Sequence, residues 1–171
     1  MKFTGIVRKL DMLGRIVIPR EYRKLHKIKE SDPLEIIATD GGDIVIRKID
    51  ISAELANAGR PIVEEVHRTL DLGVMLSDTE KYLTGAGSVK NRLTGASLSS
   101  TAQGLIEKRK CYSGKASEIG LDGAEYVSVC PVFNENIFGA LMLFSENPIE
   151  SCDGRVLALT GKILGNSMQR F

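Results

Sequence analysis

The stretch "DMLGRIVIPREYRK", residues 11–24, decides how the amino-terminal part of the chain folds. A β-branched run, Ile16-Val17-Ile18, stops at Pro19, and a short basic segment follows at once. Asp11-Met12-Leu13-Gly14 reads as a turn, with Gly14 free to take a positive φ, and Arg15 to Ile18 as a strand leaving it. Pro19 suits the first turn of a helix, where its missing N–H costs nothing. Tyr22, Leu25 and Ile28 follow at three-residue spacing and predict a helix with a narrow apolar stripe, its other faces carrying Arg20, Arg23, Lys24 and Lys27. The positive charge is either a solvated surface or one shaped for phosphate.

Outward from this stretch, Phe3 to Leu10 reads as an earlier strand. Ser31-Asp32-Pro33 ends the helix, and Leu34–Thr39 and Ile44–Ile49 flank Asp40-Gly41-Gly42-Asp43, a hairpin signature. The expected order is strand, strand, helix, strand, strand. About fifty residues bury too little surface to be comfortably stable alone. With no cysteine here to staple them, the economical solution is an obligate dimer whose strands complete one another's sheet.

Charge is distributed unevenly. Residues 1–29 hold nine basic side chains against Asp11 and Glu21, whereas residues 30–50 hold Arg47 and Lys48 against six acidic ones. The net +1 of the whole chain therefore hides a cationic amino-terminal end, the electrostatic footprint expected of nucleic-acid binding. Charge alone leaves a solvated face as an equal alternative.

"TGIVRKLDMLGRIVIPREYRK", followed by "SDPLEI" and "GGDIVIRK", resembles the AbrB-like swapped-hairpin DNA-binding family over roughly residues 1–50. The resemblance implies an interleaved, dimeric, β-rich barrel with one short helix, gripping double-stranded DNA. Position by position, it places the DNA contacts on Arg8, Arg15, Arg23 and Lys24, with Lys9 a neighbour; no family position vouches for Arg20. Lys24 stands where the family commonly has a second arginine, which keeps charge but loses the bidentate fork. Ser31 stands where glycine is common.

Residues 51–72 carry Leu55, Ile62, Val66 and Leu70 and predict a helical linker, with Gly59-Arg60-Pro61 expected to kink or split it near Ala58. Glu54 favours the start of that helix. From 73 to 171 the pattern is α+β: strands at Gly73–Ser77 and Lys81–Thr84, a mostly helical 88–110 ending in Lys108-Arg109-Lys110, a strand pair at Glu125–Phe133 and Asn136–Ser145, and a closing helix over Asp153–Arg170. The basic run suits a helix carboxy terminus through the dipole. This order, with "PVFNENIFGALMLFSEN", resembles a GAF-like sensor or oligomerisation domain, for which the linker would serve as first helix. The whole layout resembles sporulation-type transcription regulators that join the two domains.

Cys111, Cys130 and Cys152 lie far apart with no CxxC or zinc spacing, and His26 and His67 are isolated. They read as free thiols of a reducing compartment, and no catalytic residue, metal ligand or cofactor is expected. No apolar run approaches the roughly 18 residues of a membrane span, and the start has no signal-peptide pattern, so a cytoplasmic, nucleoid-associated protein is expected.

The leading function is a DNA-binding transcription regulator, acting as a homodimer or, through the carboxy-terminal domain, a homotetramer, with a small-molecule ligand there as a further expected partner of unknown chemistry. An antitoxin is the alternative, set against by the folded patterning of residues 73–171. A cysteine redox enzyme would require Cys111 and Cys130 to converge with one thiolate activated.

Overall fold

The computed structural model describes residues 5–30 and 32–168, so Ser31 and the outer ends of the expected first strand and closing helix lie outside the described residues. The chain divides into two compact units, residues 1–49 and 50–171.

In the first unit, α1 (Arg20–Leu25) follows Pro19, and a hairpin joins β1 (Leu34–Ala38) to β2 (Ile44–Lys48). The strands are antiparallel, with Ile36 opposite Ile46 and Ala38 opposite Ile44. Thr39 and Asp43 close the turn through Thr39 N–H to Asp43 O at 2.9 Å, and Gly42 takes φ +85° as the tight reversal requires. The two strands expected at 3–10 and 15–18 are not formed among the described residues. The backbone bonds found near them are local, Asp11 N–H to Arg15 O and Gly14 N–H to Asp11 O. A strand exists only as half of a ladder, and among the described residues of this unit the only ladder is β1 with β2.

The second unit is built on a five-stranded antiparallel sheet in the order β4 (Tyr82–Ala86), β3 (Gly73–Ser77), β7 (Ile137–Ser145), β6 (Tyr126–Phe133), β5 (Tyr112–Lys115). Both faces are covered. Leu76, Val132, Leu141 and Leu143 pack under α2 (Ile51–Leu70) and α5 (Ser151–Ser167), while Met75, Val127, Val129 and Met142 face the opposite core. Double coverage explains why "ALMLF" at 140–144 is apolar without alternation. The sheet still sorts it by parity, sending 141 and 143 one way and 140, 142 and 144 the other.

The helix α2 is not split at the proline: it runs continuously through Pro61. Pro61 deprives the Asn57 carbonyl of its donor, yet both residues face solvent, where water can replace the bond. Leu55, Gly59, Val63 and Val66, at steps of four, four and three, hold the helix on the sheet, and this packing outweighs the local defect. Asp50 caps the start by accepting from Ala53 N–H at 3.1 Å. Gly59 permits the close approach, since a Cβ there would lie 2.2 Å from Leu76 Cδ2 and 3.3 Å from Leu164 Cδ2. Gly59→Ala is therefore expected to destabilise the second unit by about 1–3 kcal/mol in a denaturant titration, despite alanine's better helix propensity.

The segment 88–110 is mostly helical as expected, but in two pieces rather than one. α3 (Lys90–Leu93) ends at Thr94, Gly95 turns with φ +85°, and residues 95–98 run beside β4, with Gly95 N–H bonded to Tyr82 O and Leu98 N–H to Glu80 O. Ser99 then caps α4 (Ser100–Glu107) by accepting from Ala102 N–H at 3.1 Å. Strand β5 lies beyond what the sequence pattern predicts, because "YSGK" carries little strand signal and is recruited by the edge of β6. Among the described residues, no helix is long and apolar enough to cross a membrane, and no group of three or more His, Cys, Asp or Glu could hold a metal ion.

Candidate nucleic-acid interface

The first unit carries the charge. Arg8 and Lys9 lie in an exposed segment that forms no strand. Arg15 sits at the end of a small loop organised by Asp11. One carboxylate oxygen, Oδ1, accepts from Leu13 N–H at 2.9 Å and Arg15 N–H at 2.8 Å, and Oδ2 accepts from Arg15 Nε at 2.7 Å. Gly14, at φ +72°, makes the reversal. These bonds, the Arg15 N–H first and its guanidinium next, hold the Asp11 carboxyl below its ordinary 3.8. The Arg15 side chain nevertheless stays 72% exposed. The carboxylate thus sets the direction of the side chain without burying its charge.

Arg23 and Lys24 come from α1, where Pro19 stands at the amino-terminal cap and Arg23 N–H bonds to Pro19 O. After α1, Lys27 reverses the chain at φ +52°, and Ile28 N–H returns to Arg23 O at 2.7 Å. This reversal folds Lys27 and Lys29 back beside the helix. Arg20, Arg23, Lys24, Lys27, Ile28 and Lys29 line one shallow cleft of about 460 Å³. Arg8, Lys9 and Arg15 are not part of its lining, so the five sequence-predicted residues divide into an arm, a loop and a cleft. Arg20, which no family position supported, lines the cleft together with Arg23 and Lys24, as do Lys27 and Lys29.

The cations that lie elsewhere on the unit are used internally. Arg47 pairs with Glu35 across the hairpin at 2.6 Å. Lys48 Nζ holds Asp32 at 2.8 Å and donates to Lys27 O at 3.2 Å, tying the hairpin to the loop below the cleft. The Lys48 side chain, then Lys29 N–H, lowers the Asp32 carboxyl from 3.8. A depressed carboxylate contributes stability above its unfolded value and loses it as pH falls through the folded one, so the Asp11 and Asp32 loops loosen only in acid below 3.8. Among the described residues, Arg8, Lys9, Arg20, Arg23, Lys24, Lys27 and Lys29 make no ion pair within 4 Å. Seven cations without an ion pair leave this small unit strongly positive.

The second unit has its own concavity, an open cleft of about 330 Å³ along α4 lined by Ser100, Thr101, Gly104, Leu105, Lys108 and Lys110. On the α4 side of the sheet the core is filled by side chains, and within it the Tyr82 hydroxyl has no hydrogen-bond partner among the described residues. Burial, and then the charge of Asp122, pushes that hydroxyl up to about 12.

Comparison with known proteins agrees with this division. Residues 7–53 match the family described as antidote-toxin recognition MazE, bacterial antitoxin. Stage V sporulation protein T of Bacillus subtilis is 30% identical over 154 residues, 86% of each chain. The transition state regulatory protein AbrB of the same organism is 54% identical over 48 residues, 28% of this chain and 49% of that one. Among solved structures, a type II free methionine-R-sulfoxide reductase from Thermoplasma acidophilum has a TM-score of 0.56 at 10% identity, covering 71% of this chain and 97% of that one. The GAF domain of an Acinetobacter phosphoenolpyruvate-protein phosphotransferase has a TM-score of 0.51 at 13% identity, covering 71% and 92%. At such identities the structural likeness establishes the fold, a GAF-like one, and not an activity.

Proposed function

Because the chain belongs to the family of stage V sporulation protein T, with an AbrB-like amino-terminal domain and a GAF-like carboxy-terminal one, we propose that it is a transcription regulator that binds duplex DNA as a homodimer. The observation that carries this reading is the set of seven cations on the first unit that make no ion pair among the described residues, held on the arm and in the cleft, with Arg15 presented from its loop beside Asp11. Arg8 and Lys9 would follow the backbone, Arg15 would reach from its loop, and Arg23 and Lys24 would close on phosphates from the helix. Arginine's fork also allows bidentate contacts to guanine edges.

The dimer follows from the hairpin. Ile36, Ile44 and Ile46 share one face and are 69%, 72% and 38% exposed, an unusual concentration of isoleucine on so small a sheet. A second copy, adding its residues 5–10 and 15–18 as strands, would cover that face and supply those segments with ladder partners. Two copies also present two sets of arginines to successive stretches of duplex. Effector sensing and any tetramer are assigned to the second unit; a thermal-shift screen of metabolites on the full chain tests the former, with no shift for any compound favouring a purely architectural role.

Asp11 gives a test that separates geometry from charge. Asp11→Ala removes a negative charge from a DNA-binding face, which by Coulomb's law alone should tighten binding. If the carboxylate's role is to aim Arg15, affinity should instead fall, by roughly 3- to 10-fold at moderate salt in a fluorescence-anisotropy titration.

The family match at residues 7–53 favours a second reading, an antitoxin that pairs DNA binding with capture of a partner protein. Residues 50–171 oppose it, forming a two-sided core in place of a polar tail. Co-purification of a stoichiometric small protein would support the antitoxin.

A further inference from the structure

Cys111 and Cys130 meet across the edge of the sheet. The register that sets Tyr112 opposite Val129 carries Cys111, the residue just before β5, opposite Cys130 on β6. Their sulfurs lie 2.8 Å apart, and both are free thiols. The two differ in every other respect. Cys111 is exposed; Cys130 is buried among the side chains beneath α5. The approach is also fixed in place, because Arg109, at φ +54°, donates to Glu135 O at 2.7 Å and stacks 4.9 Å from the Phe133 ring centre. This clamp ties the turn before Cys111 to the β6–β7 turn, so Cys111 is held against its neighbour.

We propose that Cys111 and Cys130 form a reversible thiol–disulfide site, with Cys111 the entry thiol and Cys130 the resolving one, oxidised by a low-molecular-weight disulfide. In the first step the Cys111 thiolate attacks one sulfur of the oxidant, its S–S bond breaks, and the departing thiolate takes up the proton Cys111 gave to solvent. In the second step Cys130, releasing its proton to the leaving group, attacks Cys111 Sγ and displaces the second small thiol. The protein loses two electrons and both thiol hydrogens, and the small disulfide becomes two thiols.

The asymmetry supports this order of events. Burial first, then the bond to Cys111, pushes the Cys130 thiol up to about 12, so it stays protonated until an electrophile is delivered beside it. The same surroundings include Lys162, whose charge favours the thiolate as it forms. Cys152 is the internal contrast: it is exposed, but its bond to Glu150, its desolvation and the nearby Asp153 raise its pKa, and among the described residues its recorded partners are carboxylates rather than a second thiol.

The test uses the full-length chain carrying Cys152→Ser, exposed to glutathione disulfide, then acid-quenched, titrated for thiols after unfolding, and mapped without reduction. The expected result is loss of both remaining thiols, no retained glutathione, and a peptide linking residues 111 and 130 within one chain. In the Cys111→Ser, Cys152→Ser variant, with a change at two exposed positions, Cys130 should keep its thiol over the same period. A stable glutathione adduct on Cys111 with Cys130 still free, or a Cys111 bridge between two chains, would overturn the proposal.

Discussion

Replacing Arg15 and Arg23 together by alanine is expected to lower affinity for duplex DNA on the order of a thousandfold while leaving the protein folded. Each arginine contact to a base edge or phosphate is worth about 1–3 kcal/mol, and a dimer loses four of them, for at least about 4 kcal/mol in all. Structural damage should be slight. The Asp11–Arg15 ion pair is exposed, of a kind worth about 0–1 kcal/mol, and Arg23 makes no ion pair among the described residues. Circular dichroism matching the parent protein, with anisotropy titrations against a genomic fragment library, separates lost contacts from lost fold. Unchanged affinity would remove the arginines from the interface.

The second large effect is expected from Ile46→Asp. Ile46 faces Ile36 across the hairpin and shares its exposed face with Ile44. Burial of each such side chain by a second copy would contribute about 1.5–3 kcal/mol, and an aspartate in the middle of that face would exchange this gain for a desolvated charge. A unit this small has little stability to spare. The first unit is therefore expected to unfold and DNA binding to disappear, while the second unit, with its separate core, keeps its melting transition. Amide exchange at residues 34–48 reads the first unit independently of any association through the second. A protected hairpin with normal DNA binding would mean that a second copy does not cover this face.

Local chemistry made some elements legible in the sequence. The hairpin around Asp40-Gly41-Gly42-Asp43 is fixed by turn residues within five positions of one another, and the β6–β7 pair by long apolar runs flanking Asn134-Glu135-Asn136. What depends on tertiary packing was not legible. Pro61 signals a break that Leu55, Val63 and Val66 override, and β5 exists because β6 offers an edge. The strands read at 3–10 and 15–18 rest on a β-branched signal, but the chain provides no ladder for them among the described residues.

For the candidate interface, the surplus of charge could be counted directly, and the resemblance named five of its residues. The cleft could not be foreseen, because it depends on the positive φ of Lys27, which folds Lys27 and Lys29 back beside Arg20 and Arg23. Nor could the sequence show that the Asp11 carboxylate, read only as a turn former and an opposing charge, would accept two hydrogen bonds from Arg15 and a third from Leu13. The meeting of Cys111 with Cys130 is hidden for the same reason: residues 19 apart become neighbours only once the β5–β6 register is known.

The salt dependence of duplex binding tests the central claim most directly. If Arg8, Arg15, Arg23 and Lys24 of both copies each neutralise a phosphate, log K should fall against log salt with a slope of about −7, or about −5 if some of them contact bases instead. The Arg15→Ala, Arg23→Ala variant should flatten that slope by about 2 to 4. A wild-type slope near zero, or one the double variant leaves unchanged, would contradict the account.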